Sequence, residues 1–318
     1  MIHKVVRFWG SQESVSQKLG DFLCALRTPT RIMPFSTVRS MSFVIYPDRQ
    51  EQPWETTFSD PLPVATYLPI QIFDSIRAMC NLRSMRLQVD WFGERQESFF
   101  YGLLQNVEIP AEYIRISASD RVMRRVLEKS PQLQALHLPE TTDITQFEPV
   151  IGRLRRLCAA VGRVQSGGPI QFPAINEVNL KKIAERYQSL EELVLSICPS
   201  SHEYETLDRE AVASAFEKDF AKAIRIFKRM PGLKRLAICI ELEAAHSFGF
   251  TYAEEDRFYT DRLLRLSTCL PRLVQISITN GVDQYWTVTR ASPGEMTIGR
   301  GIWGYKEAGF PHSVNEGF

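Results

Sequence analysis

The sequence of 318 residues has no C-x-x-C pair among its six cysteines and no histidine at zinc-finger spacing. A structural metal site is therefore not expected. The N-terminus lacks the roughly 7–15 consecutive apolar residues of a secretory signal peptide. We accordingly expect reduced thiols and an intracellular location, cytoplasmic or nuclear. No segment approaches the roughly 18 apolar residues of a membrane span, so no membrane partner is expected.

An excess of charge of either sign is also missing. The 38 Lys and Arg residues balance the 37 Asp and Glu residues, and the net charge is +1. This balance argues against a dedicated nucleic-acid-binding protein, which usually carries a strongly basic surface. The apolar fraction of 44% is typical of soluble globular chains and predicts a packed core.

Motifs that would indicate catalysis or a cofactor are absent or out of context. The five histidines form no H-x-x-x-H or H-E-x-x-H arrangement, and no nucleophile, base and acid stand at a recognisable spacing. Residues 299–304 match G-x-G-x-x-G literally, but a dinucleotide site requires a helix directly after the glycines. The few residues after this match include glycine and proline, which argue against such a helix. The sequence thus predicts a non-enzymatic protein without metal or cofactor.

A short apolar phrase, L-x-x-L-x-L, recurs along the chain. Its clearest copies are Leu82-x-x-Met85-x-Leu87, Leu133-x-x-Leu136-x-Leu138, Leu190-x-x-Leu193-x-Leu195, Leu233-x-x-Leu236-x-Ile238 and Leu273-x-x-Ile276-x-Ile278. Val38-x-x-Met41-x-Phe43 and Ala111-x-x-Ile114-x-Ile116 are weaker copies. The alternation at the end of each copy predicts a strand with one buried face.

Apolar stripes with helical spacing lie between these strands. They begin at Val15, Ile72, Val122, Ile151 and Ala211, and each is typical of a helix with one buried side. Ser119 is a suitable N-cap for the third of them. In the fourth, Ile151, Leu154, Leu157, Cys158 and Val161 predict a helix near residues 150–163 whose solvated side carries Arg153, Arg155, Arg156 and Arg163.

Strands that alternate with helices predict an α/β fold with a parallel sheet. Because the same phrase recurs, we expect a solenoid with parallel strands on the concave face and helices on the convex face. A doubly wound α/β sheet is the alternative. The expected domains are a solenoid over residues 1–281 and a C-terminal capping hairpin and tail over residues 282–318, with residues 310–318 poorly ordered.

The phrases Ser130–Leu138, Met230–Ile238 and Leu270–Ile278 resemble the leucine-rich repeat family, in particular the irregular repeats of fungal F-box proteins. This resemblance implies a substrate-recognition region of a ubiquitin ligase and an adaptor of that ligase as a partner. Four of the six spacings between copies, at 40 to 57 residues, exceed the roughly 20–29 residues of the family's usual repeat. Leu68–Ile76 resembles the opening of an F-box, but its position predicts a repeat helix instead.

The residues between the buried leucines of each strand would point into the concave face. Arginine and tyrosine are frequent anchors in protein interfaces. The predicted partner-binding residues are Arg86, Tyr113, Arg115, His137, Glu192, Arg235 and Gln275. The function that follows is a protein–protein interaction scaffold. Two alternatives stay open: a hydrolase-like α/β enzyme whose catalytic residues are dispersed in sequence, and a secreted recognition protein with paired cysteines.

Overall fold

The computed structural model describes residues 4–27, 37–46, 67–138, 153–160, 177–197, 209–240, 251–279, 284–292 and 295–302. The chain divides into two compact units, residues 1–136 with 317–318 and residues 137–316. Each unit is described by itself. The predicted tail at residues 310–318 lies outside the described residues, and the predicted division into a 1–281 solenoid and a 282–318 cap stays a prediction.

Unit 1 alternates strands and helices. Its strands are β1 (Lys4–Gly10), β2 (Val38–Ile45), β3 (Ser84–Gln88), β4 (Tyr113–Ser117) and β5 (Ala135–His137), the last of which ends at the unit boundary. Its helices are α1 (Gln12–Arg27), α2 (Leu68–Ala78), α3 (Glu94–Leu103) and α4 (Asp120–Glu128), and a 3-10 turn follows α3 at Leu104–Asn106. Strand β1 and helix α3 are additions to the elements that the sequence predicts.

Three helices of unit 1, α1, α2 and α4, form where the apolar stripes predict them. Val15 and Leu19 of α1 are buried, and α2 begins with a proline in its first turn, where the missing N–H costs no hydrogen bond. The hydroxyl of Ser119 accepts a hydrogen bond from the Val122 N–H at 3.4 Å, which confirms the predicted N-cap of α4. Helix α2, which contains the segment that resembles the F-box opening, buries its apolar side as a repeat helix would.

Unit 2 continues the alternation. Its strands are β6 (Arg156–Ala160), β7 (Glu192–Ile197), β8 (Arg235–Ile240), β9 (Gln275–Thr279), β10 (Gln284–Ser292) and β11 (Glu295–Ile302). Its helices are α5 (Glu177–Arg186), α6 (Arg209–Phe227) and α7 (Tyr252–Cys269). The hydroxyl and backbone of Thr251 exchange hydrogen bonds with Glu254, a capping box that starts α7.

The predicted helix near residues 150–163 is wrong, because residues 156–160 form strand β6. Leu154 and Leu157 are both fully buried, and they start a further copy of the repeat phrase, in which the strand begins two residues after the first leucine. A spacing of three residues between leucines fits a helix and the repeat phrase equally well. The basic residues around them are therefore not the solvated side of a helix.

The strands of each unit are hydrogen-bonded in chain order, and β6 to β9 and β1 to β4 pair in parallel. The chain therefore has an α/β fold with a mostly parallel, open sheet, as predicted. A doubly wound sheet reverses its strand order at a switch point, and neither unit shows a reversal among its described strands. The solenoid stays a prediction.

The C-terminal hairpin is confirmed, since β10 pairs antiparallel with both β9 and β11. Gly299 and Gly301 of the literal G-x-G-x-x-G match lie inside strand β11. A Cβ on Gly301 would stand 2.3 Å from the Tyr285 hydroxyl, and one on Gly299 would stand 3.2 Å from Thr287 Cγ2. These glycines therefore make room for cross-strand side chains, and their place within a strand is not that of a dinucleotide-binding turn.

Candidate functional site

One face of the sheet in unit 1 is buried along β2, β3 and β4, whereas the other face is buried at β2 and at Ser84 and partly exposed elsewhere. Met41 and Phe43 on β2, Met85 and Leu87 on β3, and Ile114 and Ile116 on β4 are all at most 1% exposed. Because side chains alternate along a strand, the residues between them point to the opposite face. We call this the open face of unit 1; its positions are Val5, Arg7, Trp9, Ser40, Ser42, Val44, Ser84, Arg86, Gln88, Tyr113, Arg115 and Ser117.

The parallel pairing places three arginines of the open face in one row. Arg7 pairs with Ser42, Ser42 with Arg86, and Arg86 with Arg115. The row therefore runs across β1 to β4, perpendicular to the strands, and contains no acidic residue. Two of its arginines, Arg86 and Arg115, were predicted as partner-binding residues, and the structure brings them together with Tyr113, which is next but one to Arg115 on β4.

Trp9 lies in the neighbouring row, where it pairs with Val44, and its ring contacts two arginines of this row. The guanidinium carbons of Arg7 and Arg86 each lie 5.7 Å from its ring centroid, within the range of cation–π attraction. Its indole N–H donates a hydrogen bond of 3.1 Å to the Ser42 hydroxyl. The side chain is nevertheless 41% exposed, so one part of a fixed indole ring faces solvent.

Arg86 is the most constrained cation of the row. It is half-buried, and burial lowers the pKa of its guanidinium, as do the charges of Arg115 and Arg7. One of its terminal nitrogens donates a hydrogen bond of 3.3 Å to Gln88, while its buried Nε has no acceptor. Arg86 thus carries its charge beside the charges of Arg115 and Arg7, and its Nε–H makes no hydrogen bond.

Two further aromatic side chains are exposed close to the carboxyl ends of these strands. Tyr46 follows β2, is 44% exposed and lies near enough to Arg86 to affect its pKa. Trp91 follows β3 and is 52% exposed, and its carbonyl accepts a hydrogen bond from the Gln12 side chain at 2.8 Å. Exposed tryptophan and tyrosine beside arginine is the composition that interfaces favour.

Unit 2 has a corresponding row with a different electrostatic arrangement. Arg156, Glu192, Arg235 and Gln275 pair in sequence across β6 to β9. The Glu192 carboxylate lies 3.2 Å from Arg156 Nε and 3.0 Å from Arg235 Nη1, and its side chain is only 7% exposed. The predicted residues Glu192, Arg235 and Gln275 are therefore brought together, with Arg156 as the member that the sequence did not indicate.

The rest of this face, which we call the open face of unit 2, is occupied by small side chains. Val194 and Ala237 are buried, and Cys158 packs against them. Further along the same row the Ser277 hydroxyl donates a hydrogen bond of 3.1 Å to the Thr287 hydroxyl.

Glu191 lies next to the arginine–glutamate row but outside it. Its carboxylate accepts a hydrogen bond of 3.0 Å from Lys234 and lies 3.9 Å from Arg155. The hydrogen bond from Lys234 lowers the pKa of Glu191. Because the pair is exposed, it stabilises unit 2 little.

His137, the remaining predicted residue, is half-buried at the end of β5, and the division into units falls just before it. Arg7 and Trp9 were missed because β1 was missed. Their signal was present in Lys4–Gly10, where Val6 and Phe8 alternate with them; Phe8 is 4% exposed and stacks on Phe43.

Two cavities lie in unit 1, away from the open face. The larger, about 300 Å³, is lined by Tyr101 and by charged residues of α4 that include Arg121 and Arg125. Arg121 lies over the Tyr101 ring at 4.0 Å, so the protein itself provides the cation for this aromatic face. The smaller, about 240 Å³, contains Asp90 and Glu97, which accept hydrogen bonds of 2.6 Å from Ser117 and Ser119. Neither lining includes a histidine, cysteine or lysine as nucleophile or base.

In the described ranges, no three metal-ligating side chains cluster, and no helix is long and apolar enough to cross a bilayer. Cys80 and Cys269 are free thiols; Cys198 lies outside the described residues.

The comparisons with known proteins add no relative. No model of a known protein family matches the chain, and no curated protein sequence matches it. The argument for function therefore rests on the residues of the two open faces.

Proposed function

We propose that the protein is a non-enzymatic scaffold for protein–protein interaction, a leucine-rich-repeat-like solenoid that presents the open faces of its sheet to a partner. The observation that carries the proposal is the open face of unit 1. There, Arg7, Arg86 and Arg115 stand in one row across four strands, and Trp9, which is fixed and 41% exposed, lies beside them in the next row.

The composition of this face supports a protein partner. Interfaces are enriched in tryptophan, tyrosine and arginine, and such residues contribute most of the binding energy where they are held in place. Trp9 is held by the Ser42 hydroxyl and by two guanidinium groups. A side chain that is already ordered loses less entropy on binding.

The resemblance to the repeats of F-box proteins gives a narrower form of the proposal, in which the chain is the substrate-recognition region of a ubiquitin ligase. The repeat phrases support it. Helix α2 does not, because its apolar side is buried in unit 1 rather than left for an adaptor.

The test is affinity capture of the tagged chain from lysate, in parallel with the Arg7→Glu/Arg115→Glu variant. Arg77→Glu is the matched control, because it makes the same charge change at an exposed position of helix α2. We expect partners that the wild-type chain and the control retain and the double variant loses. Ubiquitin-ligase adaptors captured by all three proteins would support the narrower form. An identical set of partners for all three would contradict the use of this face.

A further inference from the structure

We propose that strand β11 pairs with β11 of a second copy of this chain, so that two C-terminal hairpins join edge to edge around a two-fold axis at Ile298. Each copy would contribute residues 295–301 to one continuous antiparallel sheet. The inference goes beyond the proposed function and does not depend on it, because β11 belongs to unit 2 and takes no part in the open face of unit 1.

Strand β11 has one paired side. It pairs antiparallel with β10, and among the described residues no strand pairs with its other side. An unpaired strand edge presents a row of N–H and C=O groups that can pair with another chain. Proline and lysine, which often prevent such pairing, do not occur in Glu295–Ile302. This edge is therefore suited to a further strand.

The backbone groups on this edge belong to alternate residues. Arg290 of β10 donates its N–H to the carbonyl of Val274 at 2.8 Å, so even-numbered residues of β10 point to β9 and odd-numbered ones point to β11. The partners of these odd-numbered residues on β11 are also odd-numbered. The N–H and C=O groups that point away from β10 consequently belong to Met296, Ile298 and Arg300.

These three residues form a self-complementary set. In an antiparallel pair with its two-fold axis at Ile298, Ile298 lies opposite Ile298 of the second copy, and Met296 lies opposite Arg300 of the second copy. Every outward N–H and C=O group of the set then has a partner, which gives about six backbone hydrogen bonds between the copies.

The apolar side chains of β11 favour the same pairing. Met296 and Ile298 are 46% and 49% exposed, although Val288, the partner of Ile298 on β10, is fully buried. Helix α7 covers β10, where Tyr259 stacks on Trp286, and leaves the two β11 side chains half-exposed. Opposing isoleucines at the axis, and a methionine against the aliphatic stem of an arginine, would bury part of this apolar surface.

The charges of β11 are compatible with this register. Like charges directly opposite each other destabilise a sheet, but Arg300 would face Met296 and Glu295 would face Gly301 of the second copy. Arg300 also lies 3.1 Å from Asp256 of its own chain. The same strand thus supplies both halves of a matched edge, which favours a second copy over an unrelated partner.

The dimer is expected to be weak. Pairing of about seven residues from each copy buries less than the roughly 1,200 Å² of a standard protein interface. We therefore expect a dissociation constant of about 10–100 µM and a reversible dimer.

Sedimentation velocity of the purified full chain, at about 1–300 µM, tests the pairing. We expect the average mass to rise from that of a monomer toward that of a dimer. Ile298→Lys places two like charges opposite each other at the axis and should weaken the dimer at least about tenfold. Val274→Lys is the matched control, because Val274 is similarly exposed but lies outside β11, and it should stay within about twofold of the wild type.

A cysteine at the axis tests the register. In Ile298→Cys, the two new thiols would lie opposite each other with Cα atoms about 5.5 Å apart, within reach of a disulfide. Oxidised glutathione should convert this variant to a covalent dimer, because the S–S bond between the copies forms as that of glutathione breaks and its two sulfurs leave as thiols. Met296→Cys should cross-link far less, because Arg300 of the second copy lies opposite it. Non-reducing gels compare both variants with the wild type.

A mass that stays monomeric over the whole range would overturn the inference and leave the edge to another occupant. So would equal weakening by Ile298→Lys and Val274→Lys, or equal cross-linking of Ile298→Cys and Met296→Cys. Circular dichroism melting shows whether each variant is folded, and the cysteine variants test the register if Ile298→Lys is not. The capture experiment on the open face of unit 1 uses different variants, so either proposal can fail alone.

Discussion

In unit 2 the arginines of the open face are paired, since Glu192 lies between Arg156 and Arg235 with both guanidinium groups within 3.2 Å. In unit 1 the corresponding row holds Arg7, Arg86 and Arg115 with no carboxylate among them. The same strand geometry therefore carries two electrostatic arrangements. The row of unit 2 includes a carboxylate between its arginines, whereas the row of unit 1 includes none of its own.

The two faces also differ in the size of their side chains. The open face of unit 2 holds the packed cluster of Cys158, Val194 and Ala237, and Tyr285 lies against Gly301 in the hairpin. On the open face of unit 1, Trp9 remains 41% exposed. The comparison teaches that the same alternation of strands and helices gives two faces of different composition.

The largest expected effect comes from removing the counter-ion of unit 2. Glu192→Leu leaves Arg156 and Arg235 facing each other and should lower the free energy of unfolding by about 2 kcal/mol. The neighbouring Glu191→Leu is the control, because Glu191 makes exposed ion pairs with Arg155 and Lys234 and should cost less than about 0.5 kcal/mol. Chemical denaturation measures the free energy of unfolding of both variants. Equal losses would show that Glu192 contributes no more than the exposed Glu191.

A smaller effect is expected where Tyr285 lies against Gly301 in the hairpin. Gly301→Ala puts a Cβ against the tyrosine hydroxyl, so the ring must move, and we expect a loss of about 1 kcal/mol. Gly299→Ala meets only Thr287 Cγ2, at 3.2 Å, and should cost less. Thermal denaturation compares the two variants. If the Gly301→Ala variant is as stable as the Gly299→Ala variant, the position of the Tyr285 ring does not depend on Gly301.

The smallest effect has the opposite sign and concerns unit 1. Arg86→Met keeps most of the side-chain volume and removes a half-buried charge that lies beside Arg115 and Arg7, so it should raise the free energy of unfolding by about 0.5 kcal/mol. Arg83→Met is the control, because Arg83 is exposed and its ion pair with Glu112 is long, at 3.9 Å. A loss of stability with Arg86→Met would mean that the arginine row stabilises the free protein.

The repeat phrase predicted most strands because it combines a strand alternation with a preceding leucine that packs under the helix. It failed at β6, because the spacing of Leu154 and Leu157 also fits a helix. The arginines around them looked like the solvated side of such a helix. It also failed at β1, which has no preceding leucine. The predicted residues of β3 and β4 were placed correctly on the open face, whereas the pairing of Glu192 with Arg156 depended on recognising β6 as a strand.

The one-to-one register of β2, β3 and β4 is reached although the phrases that start them are 44 and 29 residues apart. The surface of the sheet is thus independent of the length of chain that joins its strands. Insertions or deletions in the connections can accumulate through evolution while the arginine row keeps its spacing. A lineage of such proteins can therefore diverge in length and still keep the same sheet surface, which only substitutions at alternate strand positions would alter.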